Sequence, residues 1–115
     1  HHEIVAAIAP RAVILDTSND DYANNAEGDS IGFEGARQVY AFLGADRNLA
    51  LNIRMTGGGH SLGSWHRQNV VRFCDLVFYG TPLPEPLRGD LYDNPYLDTY
   101  AKYYGGLKAM MPWRK

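Results

Sequence analysis

The residues best suited to chemistry lie in one short string, Gly57-Gly58-Gly59-His60-Ser61-Leu62-Gly63, between an apolar stretch and a helical one. A histidine side chain titrates near neutral pH and can take a proton from a hydroxyl group. Glycines beside it tolerate positive φ, so they let a tight loop bring the ring to the edge of a sheet. The string therefore predicts either a general base at His60 or a nucleophile at Ser61.

Two catalytic interpretations compete for this string. Residues 59–63 fit the G-x-S-x-G nucleophile elbow of lipases and esterases, with Ser61 as the nucleophile. Alternatively, His60 occupies a glycine-rich loop after a strand, where an α/β-hydrolase keeps its general base. That fold places the nucleophile first, then the acid, then the histidine, and only His66 follows Ser61, on the helix that the elbow would open. Chain order favours His60 as the base; a structural glycine turn remains the third interpretation.

Acid candidates for a histidine base lie in the segment after the first predicted strand, at Asp16, Asp20 and Asp21. A carboxylate behind the histidine would fix its tautomer and stabilise the imidazolium ion. Spacing alone does not choose among the three, and each could equally be a solvated loop acid.

The sequence predicts no metal and no cofactor. His60 and His66 are six residues apart, which is not the i, i+4 spacing of a helical zinc pair. The single cysteine, Cys74, cannot form an internal disulfide and belongs to no zinc-binding cluster.

The elements that must position these residues follow an α/β pattern, with helices on both faces of a parallel sheet. Residues 12–15 form a continuous apolar run and residues 49–55 are mostly apolar, as expected of strands covered on both faces. Residues 16–29 are polar and predict a loop. Helices are expected over residues 2–8, before Pro10, and over residues 33–43, before the capping Gly44. A last helix is expected over residues 64–79, and Gly80 ends it. The expected buried face of the last helix comprises Val70, Val71, Cys74, Val77 and Phe78.

The chain changes character at residue 81, which divides it into an α/β part, residues 1–80, and a Pro- and aromatic-rich extension, residues 81–115. In the extension, Asn94 is expected to cap a helix that ends at residues 105–106. One stripe of that helix would carry Tyr96, Tyr100, Tyr104 and Leu107. We expect this stripe to pack on the main body as a C-terminal staple; a sugar-stacking platform is the alternative.

Composition limits the classes of partner. With 45% hydrophobic residues and a net charge of -2 over 115 residues, the chain suits a globular protein rather than a binder of nucleic acid or anionic membranes. It contains no apolar run long enough to cross a bilayer. Two strands make too small a sheet, and the chain opens on His1-His2-Glu3 with no signal peptide, so we expect an internal cut and an amino-terminal part of the fold elsewhere.

Four segments resemble the carboxyl-terminal part of the glucuronoyl esterases. They are residues 2–11 (HEIVAAIAPR), 19–22 (NDDY), 36–44 (ARQVYAFLG) and 58–60 (GGH), and the match spans about residues 1–79. The resemblance implies the carboxyl-terminal part of an α/β-hydrolase fold. It also implies a secreted or periplasmic serine esterase that cleaves esters between lignin alcohols and the glucuronic acid of xylan.

The resemblance also implies roles for three residues. His60 resembles the family's catalytic histidine, and Asp21 stands where some bacterial members place the acid, although many use a glutamate on an earlier segment. Tyr22 stands where the family usually has a tryptophan that touches the uronate. The chain departs from the family after His60, where a second histidine and a cysteine are replaced by Ser61 and Leu62.

The expected partner is therefore a small-molecule or polysaccharide ester. The nucleophile and oxyanion hole are expected upstream of His1, so the chain alone should not turn over an ester. The alternatives are an acetyl xylan esterase, a prolyl-peptidase-like enzyme, or a non-catalytic module that keeps the fold.

Overall fold

The computed structural model describes residues 2–55, 59–85 and 91–99. They form a small α/β fold in the order α1 (His2–Ala6), β1 (Val13–Ser18), α2 (Ala26–Phe42), a 3₁₀ turn (Asp46–Asn48), β2 (Leu49–Arg54) and α3 (Ser64–Tyr79). The predicted α/β class is confirmed for this part of the chain.

The two strands pair in parallel and in register, from Val13 opposite Leu49 to Ser18 opposite Arg54. Both strands therefore end at the same edge of the sheet. The segments that follow the strands at this edge are residues 19–24, which we call the acid loop, and residues 59–63, which we call the histidine loop.

The sheet has a separate apolar core on each face, because successive side chains of a strand point to opposite sides. On one face, Leu49 and Leu51 pack with Phe33 and Tyr40 of α2. On the other face, Ala50 packs with Phe73 of α3. Burial of β2 on both faces confirms what the apolar character of the two predicted strands indicated.

Three predicted boundaries were wrong. Helix α1 ends at Ala6, two residues early, whereas β1 runs to Ser18 and α2 begins at Ala26, both inside the segment expected to be loop. The strand extension is stabilised by hydrogen bonds: the buried Thr17 hydroxyl donates to Asp29 (2.7 Å) and accepts from the Asn24 amide (2.9 Å).

Helix α3 has the predicted bounds, and Gly80 ends it with a φ of +71°. Gly44, after α2, has a φ of +65°, also as expected of a glycine that follows a helix. The predicted buried face of α3 was wrong in part, because Asn69 and Phe73 are buried whereas Val71 and Phe78 are exposed. Phe73 packs with Ala50 of β2, so the side of α3 that carries Phe73 faces the sheet.

The described part of the extension packs on the main body. Tyr96 is buried against Ala26, Ile31 and Ile53, as a staple requires. The Asn94 side chain accepts from the Tyr96 backbone N–H (3.0 Å), as a capping residue would. Tyr100, Tyr104 and Leu107 lie outside the described residues, and the division at residue 80 stays a prediction. None of the described helices is long and apolar enough to cross a bilayer.

Candidate active site

The acid loop and the histidine loop meet at the shared edge of the sheet. His60 Nδ1 lies 2.7 Å from Asp21 Oδ2, across a separation of 39 residues in the chain. The contact follows from the parallel pairing, because both loops leave the sheet at the same end.

The turn before His60 depends on a glycine. Gly59 has a φ of +47°, which lies in a region that residues with a side chain rarely adopt. The side chain of His60 is 87% exposed. The loop therefore presents the imidazole outward and lets one ring nitrogen reach back to Asp21.

Asp21 is held by its own loop. Its Oδ1 accepts from the Ala23 backbone N–H (3.0 Å), and its carbonyl accepts from the Asn24 N–H (3.0 Å). Its side chain is only 8% exposed. The Ala23 hydrogen bond lowers the pKa of Asp21; burial opposes this shift, and His60 and Arg54 add to it, so the net pKa lies below the ordinary value of 3.8.

This geometry fixes the tautomer of a neutral His60. Asp21 is ionised at neutral pH and can only accept, so Nδ1 carries the hydrogen and Nε2 keeps the lone pair. An exposed imidazole in this tautomer can take a proton from a hydroxyl through Nε2. Asp21 and His60 thus have the arrangement of a base and its orienting carboxylate.

The other two acid candidates have different contacts. Asp16 accepts from Arg54 Nη1 (2.5 Å) and from the Asn52 amide (2.6 Å), on the face of the sheet that α3 covers. Asp20 Oδ1 accepts from the Ser18 hydroxyl (2.6 Å). Spacing left the choice among the three acids open, and the structure places Asp21 against His60.

The remaining predicted residues lie near the pair in the chain. Tyr22, next to Asp21, has a fully exposed side chain. Ser61 is also exposed. His66 lies in the first turn of α3, where its backbone carbonyl accepts from the Asn52 amide (3.2 Å).

Sequence reasoning missed a buried polar network beneath this edge. Asn52 links Asp16 to Asn69 of α3, whose amide donates to Asn52 Oδ1 (2.9 Å), and Arg54 completes the network through its ion pair with Asp16. One sequence signal was present: Asn52 and Arg54 alternate with apolar residues in β2, so they share one face of that strand. Among residues 2–55, 59–85 and 91–99, no three His, Cys, Asp or Glu side chains form a group that could hold a metal ion.

Comparison with known proteins gives one clear relationship. No protein-family model matches the chain, and no curated protein does. A solved structure, a carbohydrate esterase family 15 (CE15) glucuronoyl esterase from Caldicellulosiruptor kristjansonii, is similar over 70% of this chain, with 34% identity and a TM-score of 0.64. The match covers 21% of that esterase, so this chain spans about a fifth of its length. The resemblance found in the sequence is confirmed: over this stretch the chain is similar in sequence and structure to a segment of a glucuronoyl esterase.

Proposed function

We propose that this chain supplies the general base, His60, and its orienting carboxylate, Asp21, to a serine-type carboxylic ester hydrolase of the glucuronoyl esterase kind. The observation that carries the proposal is the 2.7 Å contact between His60 Nδ1 and Asp21 Oδ2. It lies at the carboxyl edge of a parallel sheet, where α/β enzymes bind their ligands. The likeness to a carbohydrate esterase supports the reaction class.

In the proposed reaction, a serine hydroxyl outside this chain gives its proton to His60 Nε2 while its oxygen attacks the ester carbonyl. The tetrahedral intermediate collapses, the alcohol leaves with the proton held by His60, and an acyl-enzyme remains. Water then gives a proton to His60 while its oxygen attacks the acyl carbon. The second tetrahedral intermediate collapses, the acid is released, and the serine oxygen takes the proton back from His60. Asp21 stabilises the imidazolium ion in both halves and stays ionised throughout.

The acyl group proposed is a glucuronic acid, because the similar solved structure is a glucuronoyl esterase. The fully exposed Tyr22, next to Asp21, is proposed as a contact for the substrate. The nucleophile, the oxyanion hole and the rest of the α/β-hydrolase fold lie outside this chain in the proposal, so residues 1–115 alone do not hydrolyse an ester.

The experiment uses the full-length protein encoded by the gene that carries this segment, assayed on benzyl glucuronate. We expect His60→Ala to lower kcat about 10⁴-fold or more, because removal of a triad base leaves only binding and oxyanion stabilisation. His66→Ala is the matched control, since His66 lies six residues on in α3, and its kcat should stay within about twofold of wild type. Equal activity of His60→Ala and wild type would overturn the proposal.

The same assay tests the substrate class. Benzyl glucuronate should be turned over in preference to acetylated xylan and to a prolyl peptide. A preference for the acetyl ester or the peptide, with dependence on His60 kept, would retain the catalytic base and reject the glucuronoyl specificity.

A further inference from the structure

The segment of residues 91–99, which we call the edge strap, passes from one face of the sheet to the other alongside β2. At its start, Leu91 packs with Ala50 and Phe73 on the face that α3 covers. Further along, Tyr96 packs with Ile31 and Ile53 on the face that α2 covers. The strap therefore runs from the core under α3, near the start of β2, to the core under α2, near the carboxyl end of β2 that carries the candidate active site.

Asn94 anchors the strap to α2. Its buried side-chain amide donates to the Ser30 carbonyl (3.1 Å) and, more weakly, to Glu34 Oε1 (3.4 Å). The Asn94 side-chain oxygen accepts from the Tyr96 N–H (3.0 Å). One buried amide thus fixes the strap on the helix and sets the position of Tyr96.

Tyr96 connects the strap to the acid loop. Tyr96 is 8% exposed, and its hydroxyl donates to the side-chain oxygen of Asn19. Asn19 is the first residue of the acid loop, and its backbone N–H donates to the Arg54 carbonyl (2.8 Å), which extends the strand pairing by one step. Burial raises the pKa of Tyr96, and the charge of Glu27 adds to the shift, so the phenol remains a donor well above neutral pH.

We propose that Tyr96 is a positioning residue that holds the acid loop where the carboxylate of Asp21 reaches His60. The expected effect of Tyr96 on catalysis rests on the proposed function, whereas its expected effect on the acid loop does not. Asn19 lies two residues before Asp21, so a shift at Asn19 displaces the carboxylate that accepts from the imidazole. The aromatic extension thereby gains a role beyond covering apolar surface.

The test compares Tyr96→Phe with Tyr92→Phe in the full-length protein. Each substitution removes one hydroxyl from the strap, but the Tyr92 hydroxyl donates to the Arg47 carbonyl (2.9 Å), which precedes the other end of β2. We expect Tyr96→Phe to lower kcat about tenfold with KM within about twofold, because small displacements of catalytic groups reduce rate more than binding. Tyr92→Phe should leave both parameters within about twofold of wild type.

A double-mutant cycle separates positioning from general destabilisation. If Tyr96 acts through Asp21, adding Tyr96→Phe to Asp21→Asn should lower kcat no further than Asp21→Asn alone. A further tenfold loss in the double variant would show that Tyr96 acts by another route and would overturn the proposal.

Hydrogen exchange tests the loop independently of activity. Amides of residues 19–24 should exchange about fivefold faster in Tyr96→Phe than in Tyr92→Phe, because one anchoring hydrogen bond is lost. Equal exchange in the two variants would overturn the proposal while leaving the dependence of kcat on His60 intact. If His60→Ala stayed active, the proposed function would fail instead, and exchange in the acid loop would still decide the role of Tyr96.

Discussion

At the scale of single residues, the site depends on a buried carboxylate that supports an exposed imidazole. One carboxylate oxygen of Asp21 accepts from the Ala23 N–H, and the other accepts from His60 Nδ1. The backbone hydrogen bond holds the carboxylate in one orientation, and the lowered pKa keeps it ionised in weak acid. Asp21 can therefore accept a hydrogen bond from the imidazole in weak acid as well as at neutral pH.

The lowered pKa of Asp21 predicts a pH dependence of stability. The folded protein favours the ionised carboxylate of Asp21. The contribution of this group to stability is therefore complete above the ordinary pKa of 3.8, and it is lost as the pH falls through the lower pKa of the folded protein. The Tm of wild type should therefore exceed that of Asp21→Asn at pH 6, and the difference should shrink below pH 3.8.

Thermal unfolding across this pH range checks the prediction, with Asp75→Asn on α3 as a control for the same change of charge. A Tm difference between wild type and Asp21→Asn that stayed constant from pH 6 to below pH 3.8 would contradict it.

At the scale of elements, the polar network between β1, β2 and α3 fixes the edge from which both loops leave. The Arg54 side chain is 5% exposed and that of Asp16 is 28% exposed, so the ion pair is partly shielded from water. Asn52 ties the same carboxylate to α3 through Asn69. The network holds together the carboxyl ends of the two strands, which lead into the loops that carry Asp21 and His60.

We expect Arg54→Met to lower the free energy of unfolding by about 1–3 kcal/mol, because it removes a charge-assisted hydrogen bond and leaves Asp16 without its cation. Methionine keeps the aliphatic part of the packing. Chemical denaturation measures the change, with Arg72→Met on the exposed side of α3 as the control, expected within about 0.5 kcal/mol of wild type. An equal free energy of unfolding for Arg54→Met and Arg72→Met would contradict a stabilising role of the network.

Elements were predictable where local signals agree. Helix α3 and the glycines after α2 and α3 follow from helical periodicity and the demand for positive φ at a helix end. The polar end of β1 was missed because Asp16, Thr17 and Ser18 are typical loop residues. Pairing with β2 and the bonds of Asp16 to Arg54 and of Thr17 to Asp29 keep them in the strand. The first turns of α2 were missed although Asn25 is a good N-cap, whose side chain accepts from the Gly28 N–H (2.9 Å).

At the scale of the whole molecule, the described residues form a two-stranded sheet within a chain that spans about a fifth of a related esterase. A parallel pair of this size rarely stands alone, which agrees with a proposal that places the nucleophile elsewhere. The candidate pair was predictable as far as residue types and chain order allow. Spacing did not separate Asp21 from Asp16 and Asp20, and only the family resemblance indicated Asp21. The contact of Asp21 with His60 requires the conformation of the acid loop, which includes contacts distant in sequence, such as Tyr96 with Asn19.

The central claim, that Asp21 and His60 act as one unit, is tested most directly by kcat for benzyl glucuronate in the full-length Asp21→Asn and Asp20→Asn variants. Asparagine keeps the size of the side chain but offers an amide hydrogen or a neutral oxygen to Nδ1, so it no longer stabilises the imidazolium ion. We predict that Asp21→Asn lowers kcat by about 10⁴-fold, whereas Asp20→Asn stays within about tenfold of wild type. A wild-type kcat in Asp21→Asn, or a loss confined to Asp20→Asn, would contradict the account.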